Sequence, residues 1–192
     1  SSLAVTVVVG IVLGESVLAS TVAVAGGLQE SEHPVRLVVI GLAGFVLAAG
    51  MWWLYFATDF GALLPAHRDR SFIWGYGHLL LFPAVAGVGA GLHVAAYVLE
   101  HEAHIGTAAA VACVAVPVAG FLLIGFALTI VLTGRPDVPH LALVAAGLAV
   151  CAAAVLLAAA GLSMGAALLV VTLSPWVAVV GIELRGRRAA VQ

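Results

Sequence analysis

Residues 139–182 read PHLALVAAGLAVCAAAVLLAAAGLSMGAALLVVTLSPWVAVVGI, an apolar run with one small-residue break at Gly161-Leu-Ser-Met-Gly165. As a single helix it would be about 66 Å long, roughly twice the ~30 Å hydrocarbon core of a bilayer. The run must therefore turn back on itself, and glycine and serine supply the turn chemistry near its middle. This gives a hairpin of two membrane-crossing helices, 139–160 and 165–182.

The same ruler of about 20 residues per crossing marks four more spans upstream, at 3–26, 35–57, 74–98 and 106–132. Short polar connections separate them: Gln29 to Arg36, Thr58 to Ser71, Glu100 to His104, and Gly134 to His140. Composition agrees. Hydrophobic residues make up 64% of the chain and charged residues 8%, against about 45–50% and 25% in a soluble domain. The mean hydropathy is +1.24. The predicted fold class is all-α, a polytopic transmembrane helical bundle of about six spans in one domain over residues 1–192. A net charge of −2, with no basic cluster beyond Arg185, Arg187 and Arg188, speaks against nucleic acid. Cys113 and Cys151 lie inside spans and read as buried small hydrophobes, not as a disulfide or a metal site. The chain opens with Ser1-Ser2 directly against a full-length span, with no charged segment before it. That is not a signal peptide. The chain reads as a fragment whose missing amino-terminal spans are among its partners, together with the lipid bilayer.

Arginine placement sets the orientation. With the amino end of the first span in the cytoplasm, Arg68, Arg70, Arg135, Arg185, Arg187 and Arg188 all face inside, and Arg36 alone faces out. The positive-inside rule asks for this bias. The carboxyl tail is then cytoplasmic too. Trp52, Trp53, Tyr55, Phe56, Phe72, Trp74 and Tyr76 crowd the same side and read as an interfacial aromatic belt. Glu183 reads as a solvated residue beyond the last span. Gly10-x-x-x-Gly14 and Gly87-x-x-x-Gly91 are small-residue pairs that let helix backbones approach closely.

Polar residues inside the apolar runs are the candidates for function. Glu15 falls near the middle of the first span, where a carboxylate costs about 2.5–3.5 kcal/mol to insert. On the helical wheel it flanks a stripe of Thr6, Gly10, Gly14 and Thr21. It reads either as a protonatable or ion-coordinating group, or as a hydrogen-bonding tie to a neighbouring helix. His78 lies about one turn into the third span, in Trp74-Gly-Tyr-Gly-His78. It is a proton relay or partner for Glu15 in one reading and a hydrogen-bonded anchor in the other. Tyr55 and Asp59, four residues apart with Trp52 on the same face, could line the mouth of a polar cavity; alternatively they are belt and solvated loop. Pro83 and Pro117 imply kinks with freed carbonyls.

Enzymatic signatures are lacking. The loop Glu100-His-Glu-Ala-His104 does not carry H-E-x-x-H, because two residues rather than three separate its histidines. There is no phosphate-cradling glycine loop, no nucleophile elbow and no cofactor box, so neither a cofactor nor a metal is expected. A membrane-embedded enzyme acting on lipid would need a further catalytic group beside Glu15 and His78.

Three segments together resemble a known family. Ile11-Val-Leu-Gly-Glu-Ser16, Trp52-Trp-Leu-Tyr-Phe56 and Tyr76-Gly-His-Leu79 occur in the order and spacing of the bacterial low temperature requirement A family of multi-pass membrane proteins. By position, Glu15, Trp52, Trp53, Tyr55 and His78 carry over. Two positions depart: Ala57 and Thr58 intervene before Asp59, and His93 stands where an acidic residue often follows Gly-Leu. The resemblance implies a carboxyl-terminal half of such a protein, in the bacterial plasma membrane, and implies no defined activity. Two functions compete. One is proton- or ion-coupled transport of a small solute or ion, with Glu15 and His78 near the coupling site. The other is a sensory or scaffold component whose intramembrane polar groups are structural.

Overall fold

The computed structural model describes residues 7, 8, 10, 11, 14, 34–58, 60–136 and 138–190. The first span, 3–26, lies outside these residues apart from helical positions 7, 8, 10, 11 and 14. The elements that follow are α1 (Pro34–Phe56), a short α2 (Phe60–Ala66), a 3-10 turn (Arg68–Arg70), α3 (Ser71–Leu99), α4 (Thr107–Thr133), α5 (Val138–Ala159) and α6 (Met164–Ala190). No strand occurs among the described residues. Five of the helices are long and apolar enough to cross a membrane. Their bounds fall close to the spans read from the sequence, and α6 runs on past Ile182. The segment Thr58 to Ser71 is not merely a polar connection: Phe60-Gly-Ala-Leu-Leu-Pro-Ala66 forms α2 and sends Phe60 and Leu64 into the interior.

The turns follow glycine chemistry. Gly161 takes φ +103° between α5 and α6, and Gly134 takes φ +71° as the left-handed cap of α4. A side chain at either position would be strained. Arg70 also reaches across from the start of α3 and donates from Nη1 to the Val131 and Leu132 carbonyls, 3.3 Å each. A cation at a helix carboxyl end offsets the macrodipole there.

The helices pack in a ring, α3 on α4, α4 on α5, α5 on α6 and α6 on α1, with a thinner α1–α3 contact closing it. Leu47, Met51, Leu81, Val85, Val114, Val118 and Leu168 fill the centre. The outward faces are apolar as well: Val35, Leu42, Phe45, Phe72, Leu79, Leu80, Val116, Leu156 and Leu173 are exposed. Such a surface suits hydrocarbon rather than water.

Backbone approach is closest between α3 and α4. A Cβ on Gly91 would collide with the Cys113 carbonyl, and one on Gly87 would lie 3.0 Å from the Pro117 ring. Pro117 has no N–H to give the Cys113 carbonyl its helical bond, and Gly91 lets α3 come up against that freed oxygen. Pro175 frees the Val171 carbonyl in α6 in the same way. Ser174 Oγ donates to it at 2.8 Å. A Cβ on Gly10 or Gly14, by contrast, meets nothing within 4 Å among the described residues. Cys151 is buried as expected, but Cys113 is exposed. Its backbone faces α3 while its thiol turns outward.

Candidate functional site

The site grows from the crossing of α1 and α3. Tyr55, in the last turn of α1, and His78, two turns into α3, are both buried, 6% and 1% exposed. The Tyr55 hydroxyl lies 2.9 Å from His78 Nε2, and His78 Nδ1 lies 2.8 Å from the Trp74 carbonyl oxygen. A carbonyl only accepts, so Nδ1 carries the hydrogen and donates to it. In the neutral ring Nε2 is then the acceptor, and Tyr55 O–H donates. Both ring nitrogens are satisfied. If Nε2 gains a proton, it becomes the donor, and the tyrosine hydrogen must swing away from His78. The pair therefore has two hydrogen-bonded states that differ by one proton.

Aromatic rings enclose the pair. Trp74 stands edge-on to His78 with centroids 4.3 Å apart, and Phe82 lies 6.0 Å away on the same helix. Phe60 of α2 bridges Tyr55 and Trp74 at 5.3 Å from each. Trp74 is 2% exposed, and its Nε1 has no hydrogen-bond partner among the described residues. Tyr55 and Trp74 therefore do not belong to the interfacial belt in which the sequence had placed them; α2 folds over them. Trp52, Trp53, Phe56, Phe72 and Tyr76 remain exposed as a belt requires. Trp52 is 49% exposed and packs on Phe56, so it does not share the face of Tyr55. Trp53 reaches α6, its Nε1 donating to Glu183 Oε1 at 3.3 Å, so Glu183 is not simply solvated.

Tyr55 also forms part of the wall of a cavity of about 60 Å³ at the end of the bundle that carries Arg70, Arg135 and Arg185. The wall is mostly Leu54, Phe60, Phe121, Leu122, Phe126, Leu128, Leu143 and Val144, with Thr58, Thr129 and His140 as its other polar members. At the opposite end a wider recess of about 610 Å³ opens among Arg36, Ile40, Leu99, His101, Thr107, Ser163 and Leu169. Along α1, α4 and α6 the residues between the two linings include Leu47, Met51, Val114, Val118 and Val171, all buried.

Glu15 and Asp59 lie outside the described residues, so their relation to this cavity is not part of the geometry. α1 ends at Phe56, before Asp59. The sequence offers Glu15 as a partner for His78 and Asp59 as a companion for Tyr55; the described contact joins His78 to Tyr55. Thr129 and His140 were missed, although both are polar residues near the same end of neighbouring spans. Among the described residues no three metal-ligand side chains cluster.

The family model for the bacterial low temperature requirement A protein (LtrA) matches residues 5–175, most of the chain and nearly all of this site. The chain belongs to the LtrA family. No curated protein matches it, and neither does any solved structure. Within the LtrA match lie Tyr55, Trp74, His78, Thr129 and His140; the cavity's Ala178 and Ile182 fall beyond it. Family membership and the five apolar helices make the chain an integral membrane protein.

Proposed function

We propose that this LtrA-family chain is the membrane-embedded part of a carrier for a small solute or ion, with the Tyr55–His78 pair as the proton-responsive element beside its path. One observation carries the reading: two recesses at opposite ends of one bundle, separated by a dry layer around Leu47, Met51, Val114 and Val118. A path occluded at its centre is what alternating access requires. Tyr55 touches both the cavity and His78, so a proton arriving at Nε2 turns the tyrosine hydrogen away from His78. On this reading the chain carries out no covalent chemistry. The arginine-rich end and the carboxyl tail face the cytoplasm of a bacterial plasma membrane, by the excess of arginine there. On this reading the surrounding lipid bilayer is its partner.

The alternative is a structural or sensory component. What favours it is that His78 has both nitrogens bonded and rings on several sides, as a fixed clasp between α1 and α3 would. Proteoliposomes under an imposed pH gradient separate the two. Transport requires that some member of a panel of small solutes dissipates the gradient faster than in empty vesicles, and that His78→Gln loses this. If no solute does so, and His78→Gln only lowers thermal stability, the clasp reading holds and the carrier fails.

A further inference from the structure

The cavity's chemistry narrows its occupant. About 60 Å³ is several times the ~10–15 Å³ that one water needs, and well below the ~150 Å³ of a cavity that takes benzene. The space suits a body of roughly three to six heavy atoms. Among the described residues its lining holds no carboxylate and no arginine. An ion entering would shed water against Phe121, Leu122 and Val144, and no carboxylate or guanidinium among the described lining residues would meet it. Among the described residues four polar side chains line it, Tyr55, Thr58, Thr129 and His140. Thr129 Oγ1 gives its hydrogen to the Gly125 carbonyl at 3.0 Å, and Tyr55 gives its own to His78. Both hydroxyl oxygens are left with lone pairs, so they offer the occupant acceptors. An apolar wall on one side, with these hydroxyl lone pairs and the polar groups of Thr58 and His140 on the other, selects for a neutral molecule with a C–H face and hydroxyl groups.

We propose that the cavity between Tyr55, Thr129 and Val144 binds a small uncharged polyol of about three carbons. This rests on the carrier reading only in treating the cavity as part of the solute's path, and it names the solute class. Neutral polyols cross bare lipid slowly, so a protein path for them has a purpose.

Gly125 provides the test. It lines the cavity, and a Cβ placed on it meets no atom within 4 Å, so Gly125→Leu fills the space without a backbone clash. Saturation-transfer NMR on the full-length protein in nanodiscs, with propane-1,2-diol as probe, should give a signal that Gly125→Leu abolishes. Lactate and isopropylammonium, of similar size but charged, should give none. Binding of either charged probe, especially binding lost in Asp59→Asn, overturns the proposal, as does an equal diol signal from wild type and Gly125→Leu or from empty nanodiscs. Stopped-flow swelling of proteoliposomes in the same diol separates the two claims. Binding without accelerated swelling leaves the site and removes the carrier. A charged solute that moves while the diol does not bind leaves the carrier and removes this solute class.

Discussion

Tyr55 and His78 sit on different helices, and a buried side-chain hydrogen bond of 2.9 Å between Tyr55 Oη and His78 Nε2 joins α1 to α3. α1 otherwise rests mainly on α6, and its contact with α3 is thin. Removing one partner leaves a polar atom in a dry place, and removing both does not. Tyr55→Phe should cost about 1–2 kcal/mol, and a cycle with His78→Phe should return a coupling of about 0.6–1.7 kcal/mol. Unfolding of the purified variants gives both numbers. Additive costs would mean that the two side chains do not act together.

Gly91 and Gly125 should respond in opposite directions to alanine. The Gly91 position abuts the Cys113 backbone carbonyl, which cannot step aside, so Gly91→Ala should lose about 2 kcal/mol or more. Gly125 has open space and gains helix propensity, so Gly125→Ala should be neutral or stabilising by up to about 1 kcal/mol. Thermal unfolding in one detergent ranks the two directly.

Ser174 answers for the N–H that Pro175 lacks. Ser174→Ala should cost about 1 kcal/mol by leaving the Val171 carbonyl unpaired. Restoring the N–H with Pro175→Ala should offset part of that loss, because the carbonyl regains its helical donor. The pair should therefore be less than additive in a double-mutant cycle.

Trp74 Nε1 is buried without a partner among the described residues, so its loss should cost little as a hydrogen bond. Trp74→Phe keeps a ring beside His78 and removes the orphan donor. It should change stability by less than about 1.5 kcal/mol, while Trp74→Ala loses about 3–5 kcal/mol. Comparable losses in the two variants would show that the indole N–H is engaged.

Most of the fold was readable because its strongest signal is length. Five apolar runs match five helices within a few residues, and the turn at Gly161 fell where glycine and serine had placed it. Which side of each helix faces inward was far less legible. In water, burial leaves an apolar stripe; in lipid, tails are as apolar as leucine, so inward and outward faces carry the same residue types. From the sequence alone Cys113 therefore reads as buried, though it is exposed, and Tyr55 and Trp74 read as belt aromatics, though both are core. Gly87 and Gly91 did announce a close contact, because backbone approach depends on size and not on hydropathy. His78 and Tyr55 were each singled out, but nothing in one sequence says that α1 and α3 cross there. Phe60 explains the rest: a segment read as polar loop folds over the pair and makes it a dry site.

The most direct test of solute movement through this cavity uses a protein that folds as well as wild type but has the cavity filled. Solute-driven flux into proteoliposomes should be present for wild type and lost for Gly125→Leu, with thermal stability equal or higher in the variant. Unchanged flux through Gly125→Leu would contradict a path through this cavity.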